Sequence, residues 1–544
     1  MSGLRKVRLV KLERSQNSQK LHATPVNLKR IVNNTVISLV GQLVTWTSTF
    51  FLTIAYGRFL GDFKFGELYF ATTFVLLIGI PIERGFNQQI TREVSQESSK
   101  VLGYLSNTLL IKGVLWFILY SLILFLCGAL GYTPEERFLV AICGFTLLST
   151  AISNTFAAMH YSFERVVFSV VGTILEKGLS ALVGFLLLRN GASVEVMAFV
   201  LLGGSLINAT WQGIWFFRLA GLGFVIDPAL IRGLLRTSIP FMVYGMLGVL
   251  YYRLDTVLLS LMTNSAVVGW YGAGYRLFDT MAFLPSVVIA TIMYPVFSKL
   301  SSTSEEKMKL AVEKSMNFLL FCGIPTATLI IVAAPNIIGF LYHRAEFDNT
   351  IPVLQALAPG IIFLYMNSVL GATIVSVKQE KKIMIMASVA LIFNLGLNLI
   401  FIPLYKQVAA AAITSLTEVL LFSIYVTIAF PRRLLPWRSL GVGAKILIAS
   451  LTMALAIWPL HGFNIFLILL IAMIVYLGTA VLLRTIPRED IQVLYRSIRH
   501  KAQQTTPASN SNKQAEQEAP RIAEESGRKT SYVEESIVTP EAAQ

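Results

Sequence analysis

Long apolar segments recur along most of the chain and are separated by short polar connections. A helix needs roughly twenty mostly apolar residues to cross a bilayer. On that criterion the pattern predicts about fourteen membrane-spanning helices, and therefore an all-α polytopic membrane protein. The predicted spans are 33–57, 64–90, 104–130, 136–159, 165–188, 193–217, 238–262, 269–297, 315–342, 351–376, 382–404, 407–429, 441–460 and 464–484.

The basic residues of the connections test this assignment, because cytoplasmic connections carry an excess of Lys and Arg and should alternate with poorer ones. The rich set contains Arg92, Lys100, Arg165, Arg218, Arg232, Arg236, Lys299, Lys307, Lys309, Lys314, Lys378, Lys381, Lys382, Arg432, Arg433, Arg438 and Lys445. The poor set holds little beyond Arg58, Lys64, Arg137, Arg189, Arg344 and Lys406. The alternation predicts a multi-pass protein of the cell membrane with both termini in the cytoplasm.

Composition agrees with this prediction. Of 544 residues, 55% are hydrophobic and only 14% are charged, which is outside the range of soluble domains. The formal net charge of +15 is explained by the basic connections and their contact with anionic membrane lipids at the cytoplasmic face, so we expect no nucleic-acid partner. The three cysteines, Cys127, Cys143 and Cys322, lie in apolar runs, so we expect neither disulfides nor a bound metal or cofactor.

Two parts of the chain resemble each other, Phe59–Tyr69 and Leu261–Tyr271. Each has a polar turn, then a hydrophobic residue and a Gly, with a Tyr two or three positions later. Their offset of about six spans preserves orientation, which predicts two parallel six-helix lobes with a cavity between them.

The predicted segments are a basic N-terminus (1–32), an N-lobe (33–217), a cytoplasmic linker (218–237), a C-lobe (238–429), two further helices (430–485) and a disordered cytoplasmic tail (486–544).

Several motifs resemble one transporter family in their order and spacing. They are Gln89-Ile-Thr-Arg-Glu-Val-Ser, Pro240-Phe-Met-Val-Tyr-Gly, Tyr252-Arg-Leu-Asp-Thr-Val-Leu-Leu, Val268-Gly-Trp-Tyr-Gly-Ala-Gly-Tyr-Arg276, Tyr294-Pro-Val-Phe, Val353-Leu-Gln-Ala-Leu-Ala-Pro, Asn367-Ser-Val-Leu-Gly and Asn394-Leu-Gly-Leu-Asn-Leu-Ile-Phe-Ile-Pro-Leu-Tyr405. Over about residues 30–485 the chain resembles the polysaccharide-biosynthesis flippases of the multidrug/oligosaccharidyl-lipid/polysaccharide exporter superfamily.

The resemblance implies a two-lobed, V-shaped transporter. Such a protein carries a lipid-linked oligosaccharide, on undecaprenyl diphosphate, from the inner to the outer leaflet by alternating access. Glycosyltransferases and a polysaccharide polymerase acting on the same glycan are the protein partners that this function suggests.

A diphosphate cannot cross hydrocarbon unaided, so this cargo requires cations inside the membrane. Arg is well suited because its planar fork pairs with two phosphate oxygens at once. The intramembrane candidates for substrate binding are Arg84, Lys177, Arg253 and Arg276. The resemblance favours Arg276, which belongs to a repeated Tyr-Arg motif.

Acidic neighbours leave a structural alternative open for these cations. At about 1.5 Å of rise per residue, Arg253 lies at the depth of Asp279, and Asp255 at the depth of Arg276. The two crosswise pairs would neutralise each other, or would exchange partners as gates during transport.

The other two cations directly follow acids, as Glu83-Arg84 and Glu176-Lys177. Pro81 predicts a kink beside Glu83, and Arg84 either captures the diphosphate or extends to the headgroups. Adjacent helical residues diverge by about 100°, so we expect Glu176 and Lys177 not to pair with each other. Lys177 is then either a phosphate ligand or the partner of another helix.

Polar residues in spans 11 and 12 suggest coupling to an ion gradient. Asn394 and Asn398 lie one helical turn apart, and Thr414 and Glu418 lie at similar depth in the next span. These oxygens could hold Na⁺, and the resemblance points the same way, since the lipid II flippases of the same superfamily have a cation site in this lobe. Alternatively, Glu418 alone could bind H⁺. The alternative is that the same groups only hydrogen-bond the helices together.

Two further functions compete with lipid transport. A membrane glycosyltransferase or polymerase needs catalytic carboxylates or His on a sizeable loop, whereas the outward loops are short and the five His are scattered, so we predict a non-enzymatic protein. A cation-coupled multidrug antiporter of the same superfamily would carry an acid in its first span, and 33–57 contains none. Intramembrane Arg and Lys favour an anionic cargo.

Overall fold

A computed structural model describes residues 28–83, 85–431, 434–460 and 462–485. Within these ranges the chain forms helices and no β-strand, so the predicted all-α class is confirmed. The described residues as far as Thr479 belong to one compact unit, and those from Ala480 onward to a second. The predicted tail (486–544) and nearly all of the predicted basic segment (1–32) lie outside the described residues.

Sixteen α-helices lie within the described ranges. The predicted N-lobe contains α1 (Leu28–Ile78), α2 (Ile80–Glu83), α3 (Phe86–Gln96), α4 (Val101–Ala129), α5 (Pro134–Ser162), α6 (Val166–Arg189) and α7 (Val194–Ala220). The predicted C-lobe contains α8 (Pro228–Met262), α9 (Ser265–Met281), α10 (Phe283–Val288), α11 (Tyr294–Leu300), α12 (Glu305–Tyr342), α13 (Ile351–Ser376) and α14 (Glu380–Ile424). Two more helices follow, α15 (Arg438–Ile457) and α16 (Ile465–Leu482).

Eleven helices in the described part of the chain are long and apolar enough to cross a membrane, which confirms a multi-pass membrane protein. Two of them are each broken by one non-helical residue, α1 at Gly61 (φ 80°) and α14 at Lys406 (φ 48°). Each therefore has two arms, 28–60 and 62–78 in α1, and 380–405 and 407–424 in α14. The prediction of about fourteen crossings stays a prediction.

Two predicted limits differ from the structure. The pattern predicts span 2 at 64–90, but α1 ends at Ile78 and α2 contains Pro81, which cannot donate a backbone hydrogen bond. Gly85 then takes φ 98° and α3 begins as a separate helix. The predicted linker 218–237 is also shorter, because Asp227 accepts hydrogen bonds from two backbone N–H groups at the start of α8.

Helix α8 connects the two lobes. Its first part packs on α3, where the Ser238 hydroxyl donates to Gln89 at 3.2 Å. Its last part packs on α14, where Tyr251 donates to Glu418. Residues from both lobes therefore surround the middle of α8.

The lobes meet closely at one end of the bundle, which we call the Gly61 end. There the Arg58 guanidinium donates to the backbone carbonyls of Phe340 and Leu341. In return Arg344 donates to the carbonyls of Arg58 and Phe59. These reciprocal bonds join helices of the predicted N-lobe to helices of the predicted C-lobe at this end.

Candidate functional site

The predicted ion pair between Arg253 of α8 and Asp279 of α9 is confirmed, with a distance of 2.7 Å between Nη2 and Oδ2. The same guanidinium donates to the Tyr69 hydroxyl of α1 at 3.2 Å and lies 5.0 Å from the centre of the Tyr275 ring. Arg253 is therefore held by both lobes, by charge, hydrogen bonding and a cation–π contact.

The second predicted pair, Asp255 with Arg276, is wrong. Asp255 accepts hydrogen bonds from the Tyr271 hydroxyl, the Thr256 backbone and the Thr414 hydroxyl. Arg276 instead donates through Nε to the Thr53 hydroxyl of α1, at 3.1 Å. The two residues share a depth but point to different neighbours, because depth does not specify the rotation of a helix about its axis.

Arg276 consequently differs from Arg253 in its electrostatic environment. Within the described residues no carboxylate lies within 4 Å of its guanidinium. Its side chain is half-buried, at the contact of α9 with the first arm of α1. In the described part of the chain, the positive charge of Arg276 is therefore not neutralised by a carboxylate.

Glu176 and Lys177 of α6 do pair with each other, at 2.6 Å, which corrects the expectation from their helical angle. The long Lys177 side chain bends back along the helix surface to reach Oε1 of Glu176. The other carboxylate oxygen of Glu176 accepts from Asn208 of α7 at 2.7 Å. Glu176 thus binds a partner helix, whereas the Lys177 side chain remains 37% exposed.

Lys177 lies on the face of α6 that packs against the first arm of α1. Val170 and Gly184, seven residues to either side, approach Gly41 and Leu52 of that arm. Residues seven apart on a helix share a face. Since Arg276 contacts Thr53 in the same arm, Lys177 and Arg276 flank it from the N-lobe and from the C-lobe.

Glu83 ends α2, and its Oε2 accepts a hydrogen bond of 2.6 Å from Asn154 of α5. Arg84 lies outside the described residues, so its predicted role stays a prediction. The predicted interruption of the helix near Pro81 is present.

Sequence reasoning missed Lys112, which is only 1% exposed in the middle of α4. Its ammonium donates to Oδ1 of Asn87 at 2.9 Å and to the carbonyl of Ala151 at 3.3 Å. The signal was present, because a lone Lys deep in an apolar span is costly and calls for a partner.

The predicted coupling residues of the C-lobe lie in separate hydrogen-bonded groups. Glu418, 1% exposed, accepts from Tyr251 at 2.7 Å, from Tyr252 at 3.4 Å and from Asn367 at 2.8 Å. Thr414 donates to Asp255. Oε1 of Glu418 therefore has its donors on α8, and Oε2 has its donor on α13.

The two asparagines of the first arm of α14 form a different group. Asn398 donates to the side chain of Asn394 at 2.8 Å, and Asn394 donates to the Thr417 hydroxyl at 3.3 Å. Asn398 Oδ1 is buried without a hydrogen-bond partner in the described part of the chain. Sequence reasoning missed Tyr251 and Tyr252 because they are distant in sequence from Glu418, and it missed Tyr271 because the rotation of α9 toward Asp255 cannot be read from the sequence.

Residues 31–301 match the family described as polysaccharide biosynthesis protein. The chain belongs to this family of flippases. Its match covers the whole N-lobe and the helices α8 and α9 that carry Arg253 and Arg276. Over 373 residues the chain is also 23% identical to a protein of Haloferax volcanii named probable low-salt glycan biosynthesis flippase Agl15, covering 66% of this chain and 75% of that protein.

Solved structures share the fold of this flippase. The lipid II flippase MurJ in an inward closed conformation gives a TM-score of 0.69 at 17% identity. The match covers 85% of this chain and 100% of that one. An inward-facing multidrug resistance transporter of the MATE family gives a TM-score of 0.58 at 12% identity, over 70% of this chain and 93% of that one. At these identities the likeness shows the transporter fold alone.

Proposed function

We propose that this flippase moves a polyprenyl-diphosphate-linked oligosaccharide from the inner to the outer leaflet for surface polysaccharide biosynthesis. The relatives support the class of cargo, since one is named a glycan biosynthesis flippase and another a lipid II flippase. The direction is the one implied by the resemblance to polysaccharide-biosynthesis flippases, and the charge pattern of the connections predicts that the Gly61 end lies on the outer side.

The observation that carries this proposal is the position of Arg276. A guanidinium without a carboxylate partner is costly in a membrane unless water or a ligand compensates it. A diphosphate is a suitable ligand because it offers oxygens for a bidentate contact. Arg253 and Lys177, each paired with an acid, would bind the same head group only when their pairs exchange.

The contacts at the Gly61 end support alternating access as the mechanism. With that end closed by Arg58 and Arg344, cargo enters the space between the lobes from the opposite end. Breaking the reciprocal bonds then releases it on the other side.

We further propose that an H⁺ or Na⁺ gradient drives the cycle through Glu418. Its donors Tyr251 and Tyr252 lie on α8, the helix that connects the lobes. A change of charge at Glu418 would alter these bonds and therefore the contact of α8 with α14. Glycosyltransferases and a polymerase of the same pathway are the proposed protein partners.

The test is transport by the full chain in proteoliposomes that contain its lipid-linked glycan, extracted from cells that make the protein. A soluble glycosidase added outside reports each glycan that reaches the outer leaflet. We expect Arg276→Ala to slow the initial rate of transport about ten-fold or more, because a hydrogen bond to a charged group is lost. Arg276→Lys should retain part of the wild-type rate.

Arg189→Ala is the matched control, because this Arg ends α6 and is exposed. It should transport like the wild type. A wild-type rate for Arg276→Ala, at equal protein in the vesicles, would overturn the proposed role of Arg276.

A further inference from the structure

A cavity of about 490 Å³ lies within the N-lobe beside α8. Its walls come from the second arm of α1, from α2, α3, α5 and α7, and from Val249 of α8. The volume falls in the range of small-molecule sites, roughly 300–1,000 Å³.

One wall of this cavity is a polar stripe on α5. Thr146, Thr150 and Asn154 follow one another at intervals of four residues and so share a face. Glu83 and Asn87 line the same cavity from α2 and α3. The rest of the lining is mainly apolar. Polar groups beside apolar side chains suit a sugar ring, which has hydroxyl groups at its rim and C–H groups on its faces.

Glu83, which lines the cavity, and Lys112, which donates to the lining residue Asn87, both retain hydrogen-bonding capacity. Glu83 Oε1 is buried and has no hydrogen-bond partner within the described ranges, while Oε2 is bound by Asn154. Lys112 has three ammonium N–H donors, and the described residues supply two acceptors. Glu83 Oε1 therefore lacks a donor, which a hydroxyl group of a ligand can supply.

The cavity is adjacent to Arg253 of α8. Val249 precedes Arg253 by one turn of α8, and Thr72 follows Tyr69 on α1 by about the same distance. Tyr69 and Arg253 are hydrogen-bonded to each other. A diphosphate head group bound at Arg253 would therefore lie about one helical turn, or about 5.4 Å, from the cavity.

We propose that this cavity binds a sugar ring of the lipid-linked glycan, with Glu83 and Asn154 as the specificity-determining contacts. The inference rests on the proposed function, since it assigns the sugar of the same cargo to a site beside its diphosphate. The Glu83 carboxylate accepts from the sugar hydroxyls, and the stripe on α5 supplies further contacts. A proton site would not require a cavity of this volume.

The test compares the affinity of the purified full chain, in lipid nanodiscs, for two probes. One is the lipid-linked glycan extracted from cells that make the protein, and the other is undecaprenyl diphosphate without sugar. We expect Glu83→Gln and Thr150→Val to weaken binding of the first probe by about five-fold or more, because hydrogen bonds to the sugar are lost. Binding of the second probe should change less than about two-fold.

Two controls separate this inference from the proposed function. Thr452→Val, on the exposed face of α15, should affect neither probe. Arg276→Ala should weaken both probes alike, because both contain the diphosphate. If Arg276→Ala changes neither affinity, the diphosphate site fails, whatever the result at Glu83.

The sugar site is overturned if the ratio of the two affinities is the same in Glu83→Gln, Thr150→Val and the wild type. It is also overturned if Glu83→Gln preserves both affinities and abolishes the response of transport to an imposed pH gradient, since Glu83 would then be a proton site. Thr150→Val keeps the shape and volume of the side chain and leaves the Glu83 and Lys112 charges in place, so the test does not depend on the folding of Glu83→Gln.

Discussion

Gly66 and Gly269 lie against each other where the second arm of α1 crosses α9. A Cβ atom on Gly66 would lie 1.7 Å from the carbonyl oxygen of Ser265, and one on Gly269 would lie 2.1 Å from that of Asp62. The two glycines occupy equivalent positions in the sequence repeat. Their mutual contact means that equivalent helices of the two lobes pack on each other at the Gly61 end.

We expect Gly66→Ala and Gly269→Ala to prevent this contact. The new Cβ atom meets backbone, which cannot rotate away, so the backbones must separate, at a cost of about 1–3 kcal/mol. Transport should fall and the purified protein should melt at a lower temperature. Gly113→Ala in α4 is the control, since a Cβ atom there would meet no atom of the described residues within 4 Å, and it should leave both quantities unchanged or raise stability slightly. Wild-type behaviour of Gly66→Ala would contradict the contact.

Lys177 requires a test that separates phosphate binding from its pair with Glu176. We expect Lys177→Ala to abolish export while the protein still reaches the membrane, and Lys177→Arg to restore part of it. The double variant with Glu176→Gln removes the unpaired carboxylate that Lys177→Ala leaves behind. If Lys177 binds phosphate, the double variant remains inactive. Recovery of transport in the double variant would assign Lys177 a structural role alone.

Glu418→Gln tests the coupling proposal. The amide keeps the shape of the side chain and can still accept from Tyr251, while Asn367 Oδ1, which has no partner within the described ranges, can accept from the new N–H group. Folding should therefore change by less than about 1–2 kcal/mol, the typical value of an interhelical hydrogen bond in a membrane.

The measurement is transport in vesicles with and without an imposed Na⁺ or H⁺ gradient, for the wild type and Glu418→Gln. We expect the gradient to accelerate the wild type only. Glu418→Leu, which removes all three side-chain hydrogen bonds, should destabilise the protein and serves as the control for loss of packing. An equal response to the gradient in wild type and Glu418→Gln would eliminate Glu418 as the coupling residue.

Topology can be tested without a substrate. Cysteines placed after residues 62, 190 and 265 should react with an impermeant thiol reagent from outside the cell. Cysteines after 100, 305 and 435 should react only once the membrane is opened. Inversion at more than one position would contradict the predicted number of crossings and the assignment of the Gly61 end to the outer side.

The sequence by itself determined the all-α membrane fold, and it predicted the repeat and the depth of each charged residue. Depth follows from counting residues at a fixed rise, and it was enough to pair Arg253 with Asp279 because their helices are antiparallel neighbours joined by a two-residue turn. The same counting failed for Asp255 and Arg276.

Only the tertiary structure decided which way each helix faces and which distant helices are neighbours. Thr414 donates to the carboxylate of Asp255, and Thr53 accepts from Arg276, through contacts between segments far apart in sequence, whereas Tyr271 reaches Asp255 from the neighbouring helix α9. The cavity beside Glu83 likewise requires five helices of the N-lobe and one of the C-lobe. Rotation about the helix axis results from side-chain packing between such segments. An almost uniformly apolar span has no amphipathic pattern from which that rotation could be read.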